Sequence, residues 1–187
     1  MTGLYTSITP TFARVMGGQS VVLTLSITNT STLIDAYSVR VFGLDAAWFQ
    51  TRPERLSLFP LDTEPVELEL FIPPDFPAGT RQISVHIQSE NDQADFAFCT
   101  VTLQIADRPL VGLSVDPVSI TGGKSGQFGL VVTNNGNSSL DVTTEAIDPE
   151  EESLFRFDPP SIHLLPGEQH IVRASVKAPR PWIGAPK

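Results

Sequence analysis

Gly17-Gly18-Gln19-Ser20-Val21-Val22-Leu23-Thr24-Leu25-Ser26-Ile27-Thr28-Asn29 is the stretch that decides the fold. Two glycines turn the chain. Val21, Leu23, Leu25 and Ile27 then alternate with Val22, Thr24, Ser26 and Thr28, the period-2 pattern of a strand with one apolar face. Asn29-Thr30-Ser31-Thr32 supplies turn chemistry at its end. The same order of events recurs 105 positions on, with Gly122-Gly123, Leu130 and Thr133-Asn134 in place of Gly17-Gly18, Leu25 and Thr28-Asn29. Further out, Pro74 recurs as Pro179 and Gly79 as Gly184, and Pro60 returns one register late as Pro166. A period of about 100 residues is too long for a solenoid unit and is the size of one β-sandwich domain.

The two copies do not run equally far. After Gly79 the first continues to Asp107 through two strand-like segments, whereas only Ala185, Pro186 and Lys187 follow Gly184. The sequence thus predicts a whole module over residues 1–107 and a second over 108–187 that lacks its last two strands. The missing pieces are the counterparts of Gln82–Gln88 and Ala94–Ile105. Without them a third strand around Leu140, Val142 and Thr144 has an unpaired edge, a template for another strand. The expectation is that the chain continues past Lys187 or that another protein chain adds the strands. Asp107-Arg108-Pro109 is the joint, short and stiffened by Pro109.

The rest of the chain fits this reading. Tyr37, Val39 and Val41 alternate with Ser38, Arg40 and Phe42; Val66, Leu68 and Leu70 alternate with Glu67 and Glu69; Ile83, Val85 and Ile87 face inward, as does Leu103. Pro10 interrupts a first edge strand, Leu4–Ile8, and Trp48-Phe49 sits in a short bend. In the second copy, Val111, Leu113 and Val115 open the module, and Asn135-Gly136 predicts a tight hairpin with positive φ at both central residues. No stretch places apolar residues at i, i+3, i+4 and i+7 over three turns. The predicted class is all-β: two tandem immunoglobulin-like Greek-key β-sandwiches, the second lacking two strands.

Composition excludes several functions. The 187 residues carry a net charge of −9 and no basic patch interleaved with aromatics, so nucleic acid is not an expected partner. The single cysteine, Cys99, rules out an intrachain disulfide and reads as a buried, inert thiol in a strand. Met1–Ser7 has no leader-like apolar run and no stretch approaches 18 apolar residues, so these residues are not expected to insert in a membrane. The default expectation is cytoplasmic, unless the segment belongs to a longer anchored protein.

Catalysis needs convergent groups, and the spacing offers few. HExxH, P-loop, GxGxxG and GxSxG patterns are absent from the sequence. His163 and His170 flank Pro166-Gly167 and could meet if that turn closes a hairpin, with Glu168 the only near third ligand for a metal; they read as surface residues. His86 reads as outward-facing. Asp148, Glu150, Glu151 and Glu152 lack the EF-hand spacing and read as a solvated loop. No cofactor or metal is expected. Trp48, Phe49, Phe76 and Trp182 lie in connecting segments, where they either plug the ends of the sandwiches or present rings to a sugar.

Thr133-Asn134-Asn135-Gly136, Leu165-Pro166-Gly167-Glu168 and the Pro-x-x-Phe-x-x-Gly run from Pro73 to Gly79 resemble bacterial Ig-like modules of the CARDB and α-galactosidase-associated type. Such modules occur in tandem in actinobacterial and other bacterial proteins often labelled "hydrolytic protein". The resemblance covers both copies and rests on turn residues. It implies a spacer, adhesion or assembly role and brings no catalytic residues. Copy one departs from it at Leu61-Asp62, where Gly-Glu is usual. The expected function is therefore a non-enzymatic structural or docking element of a larger bacterial protein or assembly. The alternative is a carbohydrate-binding accessory module of a surface or secreted enzyme. The candidate interaction residues are Leu140, Val142 and Thr144 on the open edge, with Trp182, Trp48 and Phe76 as exposed rings.

Overall fold

An alternating run buries one face only if its backbone is extended and paired. In the computed structural model, which describes residues 3–120, 125–149 and 153–177, these runs are strands. The first unit, Met1–Arg108, contains nine among the described residues: Leu4–Thr9 (β1), Phe12–Val15 (β2), Ser20–Asn29 (β3), Asp35–Phe42 (β4), Phe49–Arg52 (β5), Leu56–Leu58 (β6), Thr63–Phe71 (β7), Gly79–Ser89 (β8) and Phe96–Ile105 (β9). One sheet has the order β1-β3-β7-β5 and the other β2-β9-β8-β4-β6. Leu23, Leu25 and Ile27 of β3 and Val66, Leu68 and Leu70 of β7 are buried on the inner face of the first sheet. Tyr37, Val41, Ile83, Val85, Ile87 and Leu103 are buried on the second, with Val39 half-buried beside them. Burying each large aliphatic side chain contributes about 1.5–3 kcal/mol. The chain is all-β; among the described residues the one helical element is a 3-10 turn, Ala46–Trp48, capped by the Asp45 carboxylate at 2.9 Å from Ala47 N.

The second unit, Pro109–Lys187, has Val111–Asp116 (β10), Ser125–Asn134 (β11), Leu140–Thr143 (β12), Leu154–Asp158 (β13), Ser161–Leu164 (β14) and Gln169–Lys177 (β15). Its sheets are β10-β11-β15-β13 and β12-β14. The order repeats β1-β3-β7-β5 and β4-β6 strand for strand. Among the described residues, counterparts of β2, β8 and β9 are absent.

A buried asparagine explains why Thr-Asn recurs. Asn29 Nδ2 donates to Leu33 O (2.8 Å) and Leu58 O (3.1 Å), while its Oδ1 accepts from Ser31 N (2.9 Å). Asn134 Nδ2 donates to Ser138 O (2.8 Å) and Leu164 O (3.1 Å), and its Oδ1 accepts from Gly136 N (2.9 Å). Each amide clasps the end of one sheet to an edge strand of the other. The backbone carbonyl of each also accepts from the turn that follows β6 or β14, at Leu61 N (2.8 Å) and Gly167 N (2.9 Å). The turn forms in both copies although the first has Leu61 (φ 67) where the second has Gly167 (φ 77).

Four expectations are corrected. The first strand does not simply end at Pro10: the chain changes sheet there, and Phe12–Val15 pairs parallel with β9. Trp48-Phe49 is not all bend, because Phe49 begins β5, which pairs with β7. Asn135 and Gly136 do not adopt positive φ and close no hairpin, because β11 and β12 belong to different sheets and the turn crosses between them. Cys99 is half-buried, its Sγ 3.4 Å from Thr6 Oγ1 of β1. Gly122-Gly123, Pro179 and Gly184 lie outside the described residues.

Candidate interaction surfaces

The two units differ most where β8 and β9 have no counterpart among the described residues. In the first unit β9 lies over β1, so Ile8 is 6% exposed. In the second, Val115 pairs with Leu130 as Ile8 pairs with Leu25, yet it is exposed, as are Val111, in the place of buried Leu4, and Leu113, which faces inward beside buried Val132. Pro117 takes the place of Pro10, each following a cis peptide bond at the end of its strand, and Val118–Ile120 stand where the chain leads into and through β2 in the first unit. Ala13 and Val15 are buried in a strand, whereas Val118 is 89% exposed and its segment is not a strand. Likewise β4 runs eight residues because β8 pairs with it as far as Phe42, while β12 stops after four and leaves Ala146, in the place of buried Val41, exposed.

Within β12, Thr144 N donates to Pro160 O at 3.0 Å. Alternation then turns the backbone groups of Leu140, Val142 and Thr144 toward β14, and those of Asp141 and Thr143 toward the open edge. In the first unit the residue equivalent to Asp141 is Ala36, whose carbonyl accepts from Glu90 N at 2.8 Å. The predicted residues Leu140 and Val142 therefore supply half-buried side chains to the interior, and the free ladder belongs to Asp141 and Thr143. These two were missed because side-chain alternation does not reveal which peptide groups face a missing neighbour. The Asp141 side chain does not obstruct the edge: it points to the outer face, where Oδ1 meets His163 Nδ1 at 2.8 Å.

The other predicted residues are scattered. Trp48 and Phe76 are half-buried and meet edge to face, ring centroids 5.7 Å apart, in the first unit; this is the plugging arrangement rather than a pair of exposed rings. Trp182, Glu150, Glu151 and Glu152 lie outside the described residues, and Asp148 Oδ2 accepts from Ser153 N at 2.8 Å. His163 and His170 do not face each other across a hairpin, since β14 and β15 belong to different sheets. Among the described residues no group of three or more His, Cys, Asp and Glu is placed to hold a metal.

A second surface emerges only from strand register. On the outer face of the five-stranded sheet, Arg40, His86 and Phe98 lie side by side across β4, β8 and β9. The His86 ring is stacked with Phe98 (5.9 Å) and tilted against Phe42 (4.5 Å). Arg40, Phe42, His86, Gln88 and Gln93 line an open cavity of about 330 Å³ there. Aromatic faces beside amide and guanidinium donors suit a ring with an apolar face and polar edges.

No family model and no curated protein matches the chain. Solved structures with some likeness include a protein of unknown function from Porphyromonas gingivalis W83, 16% identical over 92% of this chain and 83% of that one, with a TM-score of 0.39. The E. coli chaperone DraB is 11% identical over 90% of this chain and 86% of its own, with a TM-score of 0.40. WR4, a C. elegans MSP family member, is 14% identical over 57% of this chain and 100% of its own, with a TM-score of 0.36. Superpositions at this level say nothing of what the chain binds or does.

Proposed function

We propose that the chain is a non-enzymatic structural and interaction module, a docking element of a larger bacterial protein or multiprotein assembly. In this reading it consists of two immunoglobulin-like Greek-key sandwiches, akin to the CARDB and α-galactosidase-associated modules, of which the second lacks two strands. The observation that carries the proposal is the open inner face of the second unit, where Val111 and Val115 are 47% and 38% exposed and their counterparts in the first, Leu4 and Ile8, are 5% and 6% exposed. Apolar surface left open beside an unpaired strand edge is characteristic of an interaction site. Residue-resolved amide exchange tests it: the amides of Asp141 and Thr143 should exchange at rates close to those of loop residues, and those of the equivalent β4 should be protected. Equal protection of both in a monomer would remove the docking site. The non-enzymatic part is tested by a screen of ester, glycoside and peptide substrates against the parent and a His163→Ala/His170→Ala variant; turnover lost in the variant would refute it.

The Phe42–His86–Phe98 row favours a second reading, a carbohydrate-binding accessory module. Calorimetric titration with soluble polysaccharides should then give heat that Phe98→Ala abolishes.

A further inference from the structure

Building on the carbohydrate reading, we infer that the outer face of the five-stranded sheet takes an acidic sugar, a uronic-acid residue held by its carboxylate at Arg40 and by its ring on the Phe42–His86–Phe98 row. The chain holds 21 Asp and Glu against 12 Lys and Arg. The outward positions of β2, β4, β6, β8 and β9 nevertheless carry Arg14, Arg40 and His86 and no carboxylate. On the other sheet, Glu67 and Glu69 of β7 point outward. The carboxylates nearest in the chain to the cavity are engaged elsewhere. Asp92 Oδ1 accepts from Ala94 N and Asp95 Oδ2 from Gly3 N, both at 2.9 Å, while Glu90 pairs with Arg55. Among the described residues Arg40 has no ion-pair or hydrogen-bond partner. Its planar fork of donors is free to take a carboxylate in two parallel bonds.

The surroundings of Arg40 select the rest of the ligand. Arg40 and His86 are partners on adjacent strands, about 4.8 Å apart, so a ring resting on His86 lies within reach of the guanidinium. Phe42 and Phe98 flank that imidazole and are 52% and 62% exposed. Gln88 Nε2 donates to the carbonyls of Gln93 (2.9 Å) and Asp95 (3.3 Å), which fixes the rim of the cavity. Aromatic faces receive the C–H side of a pyranose, and fixed amides meet its hydroxyls. A volume of about 330 Å³ is at the lower end for ligand cavities. Bases of a nucleic-acid strand also stack on such rings, but a phosphate backbone calls for several cations along a groove, and Arg40 is the one arginine lining this cavity. A neutral sugar leaves that guanidinium without a counter-charge. In 0.1 M salt the screening length is about 10 Å, so carboxylates on the other sheet repel a short oligosaccharide here only weakly.

The experiment titrates the purified full chain calorimetrically in 0.1 M salt. The probes are tetrasaccharides of galacturonate, mannuronate, guluronate and alternating glucuronate and N-acetylglucosamine, each beside its carboxyl-reduced, neutral form. Octathymidylate and the neutral polysaccharides of the carbohydrate test complete the set. The expected result is that at least one uronate binds and that its reduced form binds about tenfold or more weakly. Arg40→Gln, at an exposed position, should bring the uronate down to the affinity of the reduced form, Arg40→Lys should restore part of the difference, and Phe98→Ala should abolish binding of both. Circular dichroism checks that each variant is folded. A reduced form bound as tightly as its uronate, or uronate binding that Arg40→Gln leaves unchanged, overturns the inference. Heat from neutral sugars alone that Phe98→Ala abolishes overturns the acidic ligand and leaves the carbohydrate reading standing. No heat from any sugar overturns both. Binding of octathymidylate, lost in Arg40→Gln, with none of the uronates, assigns the face to nucleic acid and overturns the sugar.

Discussion

Leu61 holds a backbone conformation that favours glycine, with φ of 67, and its side chain gains little in return, being 79% exposed. A Cβ in the left-handed region costs roughly 1–2 kcal/mol, and glycine returns about 0.5–1 kcal/mol of that through its freer unfolded chain. Leu61→Gly should therefore stabilise the first unit by about 0.5–1 kcal/mol, read from the denaturant midpoint. Tyr37 is a different case. Its ring is in the core, and its hydroxyl has no hydrogen-bond partner. Burial, aided by the Asp35 and Asp95 carboxylates, pushes its pKa up from 10.0 to about 12. The fold favours the protonated phenol, so this contribution is whole below pH 10 and is lost as the pH rises through about 12. Tyr37→Phe should flatten the stability profile across that window. At neutral pH it should be neutral or stabilising by up to about 1 kcal/mol, since no bond is lost. Denaturation at a series of pH values between 8 and 12 checks both.

At the scale of elements, the long alternating runs of β3, β7, β8 and β9 were legible because ten or so residues of period 2 admit no other burial. The four-residue strands β2 and β5 were not, because their pairing is set by a partner strand and not by their own pattern. The same limit explains Asn135-Gly136 and Pro166-Gly167. Turn chemistry marks a change of direction without saying whether the chain returns along its own sheet or crosses to the other. For the candidate sites, the free side of β12 follows from the repeat spacing, while the row of Arg40, His86 and Phe98 needs a register that no spacing contains. The asparagine clasp was visible only as a repeated letter. Its removal should be costly: Asn29→Ala leaves the carbonyls of Leu33 and Leu58 without their donor and should destabilise the first unit by about 2–4 kcal/mol. Asn134→Ala should act likewise on the second. Asn29→Asp keeps the acceptor and loses the donor, and should also destabilise. Urea denaturation of each variant tests the clasp.

For the whole molecule, the two units should not melt together. The buried cluster of the second is Val132, Ile162, Leu164 and Val172, whereas that of the first extends over both sheets and all its long strands. Stability follows buried apolar surface, so the second unit should unfold first. Calorimetry should show two transitions, and amide exchange from Leu110 onward should be faster throughout. A single transition with uniform protection in a monomer would show that the second unit has all the packing it needs.

The four-plus-two arrangement of the second unit also bears on how the first one assembles. Six strands and a clasp recur there among the described residues in the same order, so the prediction is that in the first unit β8 and β9 need not form before the rest. They pair with each other locally and can dock last on a framework of β1, β3, β7, β4 and β6. The rate-limiting ensemble of the first unit should then contain the Asn29 clasp and the β3–β7 pair, and lack native contacts at Val85 and Ile87. Kinetic analysis of conservative truncations should give φ-values near zero for Val85→Ala and Ile87→Val, and clearly fractional ones for Leu25→Ala and Val66→Ala. Equal values at all four would show that the hairpin is part of the nucleus.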